Sequence, residues 1–192
     1  MRQNNSDGLI AGVDEAGRGS LFGPLVVAAV ILPRKEIVGL KDSKQLSPKR
    51  REIFFREIIR SAISWSFSLG SLEEIEEKNV LRATLEAMGR AIKKLNPSPY
   101  LVMVDGPFAP EIDGYLIKPI IHGDRLIPQI SAASILAKVI RDRIISRMSH
   151  LFPGFGLEKN MGYGTMVHRR NLSFLGPTPF HRGKFVLKYT EG

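Results

Sequence analysis

Acidic residues follow apolar runs at three places in this chain. Asp14 and Glu15 come at the end of the first run, Asp105 ends a second, and Asp124 comes shortly after a third. A carboxylate at the end of a buried strand is costly unless it is paired or binds a cation. Oxygen ligands without cysteine favour a hard ion such as Mg²⁺ or Mn²⁺. Two such ions about 4 Å apart are a standard device for hydrolysing phosphodiesters.

Each acid also has a simpler interpretation. Taken alone, any one of them is better explained as a turn or capping residue at a strand end. Asp14 and Glu15 are adjacent, so on a regular strand their side chains point to opposite faces of the sheet. Both can serve one site only if the backbone bends there or if the metals bridge the strand edge. Asp142 is a rival acid, but it lies between Arg141 and Arg143 in a predicted helix, which favours a surface ion pair.

The segment Gly17-Arg18-Gly19 follows the first two acids directly. Glycines let backbone amides approach a ligand and arginine can grip phosphate, although a plain tight turn explains the same residues equally well. The spacing is not that of a dinucleotide-binding loop, and a strand-like run follows where a helix is required. Lys41–Lys44 precede a predicted helix N-terminus that suits a phosphate, or they form a solvated basic face. Tyr163, between two glycines, is suited to stacking on a sugar or base.

The charge of the chain is unevenly distributed. Residues 1–124 carry 17 basic and 16 acidic side chains, whereas residues 125–192 carry 11 basic and 3 acidic ones, and the whole chain has a net charge of +9. This distribution indicates a polyanion partner, with solubility alone or a membrane surface as alternatives. There are no cysteines, which excludes disulfides, thiolate nucleophiles and zinc ribbons. We find no P-loop, GxSxG or HExxH motif.

Hydrophobic periodicity predicts the elements that must position these residues. The runs Leu9–Val13 and Leu25–Leu32 predict a hairpin with its turn at Ala16–Gly23. Ser47-Pro48 predicts the start of a helix that extends to Ile63, with Ile53, Phe54, Ile58 and Ile59 facing inward. Ser71 and Glu74 predict a capping box. The remaining predicted strands are Trp65–Leu69, Tyr100–Val104 and Tyr115–Ile121, and the remaining helices are Val80–Leu95, Ser131–His150 and Thr165–Phe174. This order predicts a mixed α/β sheet covered by helices.

Taken together, these segments closely resemble the type 2 ribonuclease H family, ribonuclease HII. The resemblance covers nearly the whole chain, in matching order and spacing. It is carried by AGVDEAGRG (11–19), KDSKQLS (41–47), VMVDG (102–106), GDRLIPQISAASILAKVIRDR (123–143), GYGT (162–165) and GPTPFHR (176–182). The chain departs from the family in the loop after Gly19, where Ser20, Leu21 and Phe22 stand in place of the common proline and alanine.

The resemblance implies a ribonuclease H-like fold, with a mixed five-stranded sheet flanked by helices and a small helical C-terminal part. We expect a catalytic domain over residues 1–150 and a basic substrate-binding extension over 151–192. The four acidic active-site residues of the family fall on Asp14, Glu15, Asp105 and Asp124, which would hold two Mg²⁺ or Mn²⁺ ions. Asp142 is not part of this set.

The resemblance also implies the substrate contacts. Gly17, Arg18 and Gly19 would contact the ribose 2′-hydroxyl at an RNA–DNA junction, and Tyr163 would stack on the deoxyribose beyond it. Ser43 and Lys44 belong to a segment expected to contact DNA phosphate.

The expected activity is metal-dependent hydrolysis of the RNA strand of RNA–DNA hybrids, and cleavage 5′ to ribonucleotides in duplex DNA, as in DNA replication and repair. The products carry 3′-hydroxyl and 5′-phosphate ends. We expect a cytoplasmic monomer without a membrane partner. The alternatives are a nuclease of the same fold with another substrate, and a non-catalytic nucleic-acid-binding module.

Overall fold

The fold is described from a computed structural model that covers residues 8–34, 37, 39–40 and 46–190. The strands are β1 (Ile10–Ala16), β2 (Leu25–Ile31), β3 (Ser64–Gly70), β4 (Leu101–Asp105) and β5 (Leu116–Ile120). The helices are α1 (Pro48–Ser61), α2 (Leu72–Lys78), α3 (Val80–Lys93), α4 (Gly123–Leu126), α5 (Pro128–Leu151), α6 (Leu157–Asn160), α7 (Met166–Leu175) and α8 (Gly183–Thr190). No helix in these ranges has both the length and the apolarity needed to cross a membrane.

The five strands form one mixed sheet in the order β3-β2-β1-β4-β5. The predicted hairpin forms the antiparallel pair β1 and β2, and β3 continues the meander on its outer side. The pairs β1–β4 and β4–β5 are parallel. Helices α2 and α3 connect β3 to β4, whereas residues 106–115, which connect β4 to β5, contain no helix. The predicted ribonuclease H-like mixed sheet is confirmed.

Helices cover the two faces of the sheet because strand residues alternate between them. On one face, Val26, Ala28 and Val30 of β2 pack with α1 and α5. On the other, Val27 and Ala29 pack with α3. The first turn of α5 lies directly on β1, since a Cβ added at Gly12 would be 2.1 Å from the Gln129 carbonyl carbon. This close approach brings α5 against the strand that carries Asp14.

Local signals placed the starts of α1, α2, α3 and α7 correctly, whereas α5 begins at Pro128, three residues before the predicted Ser131. Ser47 accepts a hydrogen bond from the Arg50 amide at the start of α1, and Pro48 occupies the first helical turn. Ser71 and Glu74 form the predicted capping box of α2. Thr165 caps α7, so its predicted start is confirmed. Asn79, whose φ of 81° is left-handed, caps α3 by accepting from two backbone amides.

Three details of the predicted pattern were wrong. Ile53 was expected to face the core but is 58% exposed, because α1 buries Phe55 instead. β1 continues past its predicted end at Val13 to Ala16, so the first two acids lie within the strand. The short helices α4 and α6 and the terminal helix α8 were not predicted.

The C-terminal part packs against the loop between β1 and β2. Leu21 and Phe22 of that loop are buried with Phe155, Leu172 and Val186 in a third apolar cluster. A β-bridge joins Phe22 to His181, and α5 crosses the predicted boundary at residue 150. The loop beside the acids is therefore held between the sheet and the C-terminal helices. The division into two functional parts stays a prediction.

Candidate active site

Asp14 and Asp105 become neighbours through the parallel pairing of β1 and β4. The register ends at the pair Val13 and Val104, so the next residue of each strand is an aspartate at the same edge of the sheet. Asp14 is 3% exposed and its carboxylate lies against α5, where the Ser134 hydroxyl hydrogen-bonds to it. Two residues that are distant in the sequence are thus brought together by sheet register.

A short helix brings the fourth acid to the same edge. β5 ends beside β4, the chain turns at His122 with a left-handed φ of 56°, and α4 begins at Gly123. The backbone amide of Asp124 donates to Asp105 Oδ1 at 3.2 Å. Ser131 of α5 donates to the Asp124 carbonyl oxygen and ties α4 to α5. Asp124 is buried, at 2% exposure.

A cavity of about 380 Å³ opens over the carboxyl ends of β1 and β4. It is lined by three of the four predicted acids and by all the described substrate-binding candidates, together with basic and polar residues from α1 and α5. The lining comprises Asp14, Glu15, Ala16, Gly17, Arg18, Gly19, Arg51, Asp105, Ser134, Ile135, Lys138 and Tyr163. Asp124 is not among the lining residues, but its backbone amide contacts Asp105, which is. Ser43 and Lys44 lie outside the described residues.

The carboxylates concentrate negative charge at this cavity. Burial raises the pKa of Asp14 well above its ordinary value, and the nearby Glu15 and Asp105 raise it further. Two hydrogen bonds oppose this effect, one from Ser134 and one from the Glu15 backbone amide, which donates to Asp14 Oδ1 at 2.7 Å. Arg18 Nη1 lies 3.2 Å from Glu15 Oε1. The site is therefore a group of like charges with partial compensation.

The donor set suits a hard cation, although the side chains do not form a closed coordination sphere. Within the described ranges, no group of three or more His, Asp or Glu side chains is arranged so that it could hold a metal ion as it stands. The acids of the cavity nevertheless offer only carboxylate oxygens, and the mutual repulsion that raises the Asp14 pKa is the kind that a divalent cation relieves. In chemistry and charge, the residues fit Mg²⁺ or Mn²⁺.

The glycine loop and Tyr163 both line this cavity. Gly17 has a φ of +97°, and a Cβ there would lie 2.0 Å from Nε of Arg141, so the position requires glycine. Tyr163 is 36% exposed, with Lys138 Nζ 5.6 Å and Arg141 Cζ 5.3 Å from its ring centroid. The two elements that were expected to touch sugars are thus on one surface with the acids.

Asp142 is an ion-pair residue, as predicted. It accepts from Lys138 at 2.8 Å and from Arg51 at 3.3 Å. Lys138 is one helical turn before it on α5, and Arg51 comes from α1.

Sequence reasoning missed the two buried arginines, Arg141 and Arg182, which are fully buried. Arg182 donates to the carbonyl oxygens of Gly23 and Arg18, and so links two points of the loop between β1 and β2. Spacing could have identified Arg141, because it follows Ala133 and Ala137 at intervals of four on the inward face of α5.

Comparisons with known proteins identify the family and the fold of the chain. The family model of ribonuclease HII matches residues 11–188. The crystal structure of ribonuclease H2 from Pyrococcus horikoshii OT3 is 28% identical, with a TM-score of 0.79 over 96% of this chain and 100% of that one. Ribonuclease HII from Archaeoglobus fulgidus, solved as a complex with PCNA, is 30% identical, with a TM-score of 0.80 over 95% of this chain and 97% of that one.

A third similar structure is Bst-RNase HIII in complex with Mn²⁺. It is 16% identical, with a TM-score of 0.69 over 96% of this chain and 66% of that one, and the likeness concerns the fold. The family match and the two archaeal structures carry the assignment. The chain belongs to the ribonuclease HII family, and it is thereby a hydrolase of the ribonuclease H type.

Proposed function

We propose that the protein is an endoribonuclease that hydrolyses the RNA strand of RNA–DNA hybrids and cuts 5′ to ribonucleotides embedded in duplex DNA. The observation that carries this proposal is the cavity where Asp14, Glu15 and Asp105 meet the Gly17–Gly19 loop and Tyr163. Acids suited to phosphodiester hydrolysis and groups suited to reading sugars share one surface there. The net charge of +8 over residues 125–192 supports a nucleic-acid substrate.

We propose that Asp14, Glu15, Asp105 and Asp124 hold two divalent ions, Mg²⁺ or Mn²⁺. The Mn²⁺ complex of Bst-RNase HIII, a protein of the same fold, is consistent with this choice. When bound, the ions supply an activated water and stabilise the charge on the leaving oxygen. The 3′-hydroxyl and 5′-phosphate products follow from which phosphorus–oxygen bond breaks, and no side chain of the protein has to act as the nucleophile.

The protein's own residues prepare the site. Ser134 and the Glu15 amide hold the Asp14 carboxylate toward α5, so that its orientation does not depend on solvent. Arg18 lies against Glu15 and is 42% exposed on its side chain, which lets it orient the acid and still reach a phosphate. The Asp124 backbone amide donates to the Asp105 carboxylate and so helps to fix its orientation.

For substrate selection we propose the roles implied by the family resemblance. Gly17, Arg18 and Gly19 contact the 2′-hydroxyl of the ribonucleotide, and Tyr163 stacks on the deoxyribose across the junction. Ser43 and Lys44 contact DNA phosphate, and residues 151–192 act as a basic substrate-binding extension. Support comes from the packing of this C-terminal part on the loop that follows Gly19.

A cleavage assay with three end-labelled duplexes tests the proposal. The substrates are plain duplex DNA, an RNA–DNA hybrid and duplex DNA with a single ribonucleotide, each with EDTA, Mg²⁺ or Mn²⁺. We expect metal-dependent cleavage of the last two only, with 3′-hydroxyl and 5′-phosphate ends. Cleavage in EDTA would overturn the metal-ion mechanism, and cleavage of plain DNA would indicate a different nuclease of this fold. Binding without cleavage of any substrate would indicate a binding module.

A further inference from the structure

Arg141 is a charged side chain in the interior that connects three segments of the chain. It is fully buried. Nε donates to the Pro24 carbonyl oxygen at 3.1 Å and Nη1 donates to the Met161 carbonyl oxygen at 2.8 Å. Nη2 donates to Ser20 Oγ at 2.8 Å and to the Phe22 carbonyl oxygen at 3.1 Å. One guanidinium thus joins α5 to the loop after β1 and to the segment that precedes Tyr163.

These four acceptors are carbonyl and hydroxyl oxygens, and none of them is a carboxylate. The hydrogen bonds therefore compensate the buried charge with neutral dipoles only. Such an arrangement is costly, and an apolar side chain of similar volume would fill the space at lower desolvation cost. What an apolar side chain cannot do is present donors in a rigid planar fork to several carbonyl groups at once. The arrangement therefore indicates that the arginine serves to fix the relative positions of these segments rather than to stabilise the fold.

Two glycines lie against the guanidinium from opposite segments. A Cβ at Gly17 would lie 2.0 Å from Nε of Arg141, and a Cβ at Gly162 would lie 3.4 Å from its Nη2. The amides of Leu21 and Phe22 donate to the Gly162 carbonyl oxygen at 2.8 and 3.3 Å. Both segments are therefore packed on the arginine and on each other.

We propose that Arg141 is the positioning residue that sets the distance between the Gly17–Gly19 loop and Tyr163, and thereby the enzyme's selectivity for a ribose–deoxyribose junction. This inference rests on the proposed function. A loop that reads a 2′-hydroxyl and a ring that stacks on the next sugar must stand one nucleotide step apart. The planar group lies between them, 5.3 Å from the tyrosine ring centroid. Ser20, where this chain departs from its family, is one of its acceptors.

The test compares Arg141→Lys and Ser20→Ala with the control Arg143→Lys, a half-exposed position on the same helix. Lysine keeps the charge but cannot serve all the acceptors. Ser20→Ala is the milder variant, in case Arg141→Lys fails to fold: it removes one of the arginine's hydrogen bonds, together with the bond that the hydroxyl donates to the Gly17 carbonyl oxygen. For each protein we would measure kcat/KM on a single-ribonucleotide duplex and on a uniform RNA–DNA hybrid, and take the ratio. Amide hydrogen exchange at Leu21 and Phe22 of the free protein gives a readout that is independent of cleavage.

We expect the ratio to fall about tenfold in Arg141→Lys and a few-fold in Ser20→Ala, equivalent to roughly 1.4 kcal/mol or less of lost discrimination. Exchange at Leu21 and Phe22 should become faster in both variants, and Arg143→Lys should match the wild type. A purely structural role would lower both activities equally, so an unchanged ratio with slowed cleavage overturns the proposal, as does an unchanged exchange rate. Failure of the wild type to cleave either substrate would instead refute the proposed function.

Discussion

Two buried histidines form a directed chain of hydrogen bonds beneath Tyr163. The Thr178 amide donates to His181 Nδ1 at 3.0 Å, so the proton of that ring lies on Nε2. His181 Nε2 is 3.1 Å from His168 Nε2, and His168 Nδ1 is 3.0 Å from the Tyr163 carbonyl oxygen. His181 therefore donates to His168, which donates to Tyr163. Both rings must be neutral, because a second proton on either ring would set two donors against each other.

Acid should consequently destabilise the protein through this pair. Burial and the neighbouring His168 lower the pKa of His181 from 6.5 to about 4. The folded state then binds fewer protons than the unfolded state, so the stabilisation is complete above pH 6.5 and is lost as the pH falls toward about 4. Between about pH 7.5 and about pH 5 the loss from His181 is about 2 kcal/mol, at about 1.4 kcal/mol per pKa unit. Burial lowers the pKa of His168 as well, which adds in the same direction.

Thermal and urea unfolding at these two pH values measures the effect. For a chain of this length, a loss of about 2 kcal/mol corresponds to a fall in Tm of roughly 4–8 °C. His181→Gln should be less stable at neutral pH but should show a shallower dependence on pH. His150→Gln, at an exposed position in the last turn of α5, should keep the wild-type dependence. If His181→Gln and the wild type lose equal stability over this range, the assignment of a buried neutral pair is refuted.

Three further predictions concern the site and the core. Asp14→Asn should lower the cleavage rate by about a hundredfold or more while duplex affinity is retained, whereas the control Asp142→Asn should cleave normally. Normal turnover by Asp14→Asn at saturating Mg²⁺ would show that this carboxylate has no part in the mechanism. Tyr163→Ala should lower cleavage of a single-ribonucleotide duplex by roughly 10-fold or more, the value of a stacking contact, with little change in metal affinity measured by titration calorimetry. Leu136→Ala should cost about 2–5 kcal/mol in urea unfolding, and the exposed Ile53→Ala less than about 0.5 kcal/mol; equal losses would contradict the assigned faces.

Much of the fold was predictable because its signals are local. The N-caps Ser47 and Ser71 each satisfy backbone amides within three residues, so their role is written in adjacent positions. The outward direction of Trp65, Phe67 and Leu69 was not predictable in this way. β3 alternates as expected, but only its pairing with β2 decides that its serines face α3, where Ser66 donates to the Ala91 carbonyl oxygen.

The sequence by itself determined which residues are candidates for the site. An acid at the end of an apolar run is costly to bury without a partner, and a glycine in a turn permits a backbone conformation that other residues avoid, so both stand out without a structure. The tertiary structure alone decided which of them meet. The parallel register sets Asp14 beside Asp105, and a left-handed turn brings in Asp124. It also decided the role of Arg141, since its acceptors come from segments that approach each other only after the chain has folded.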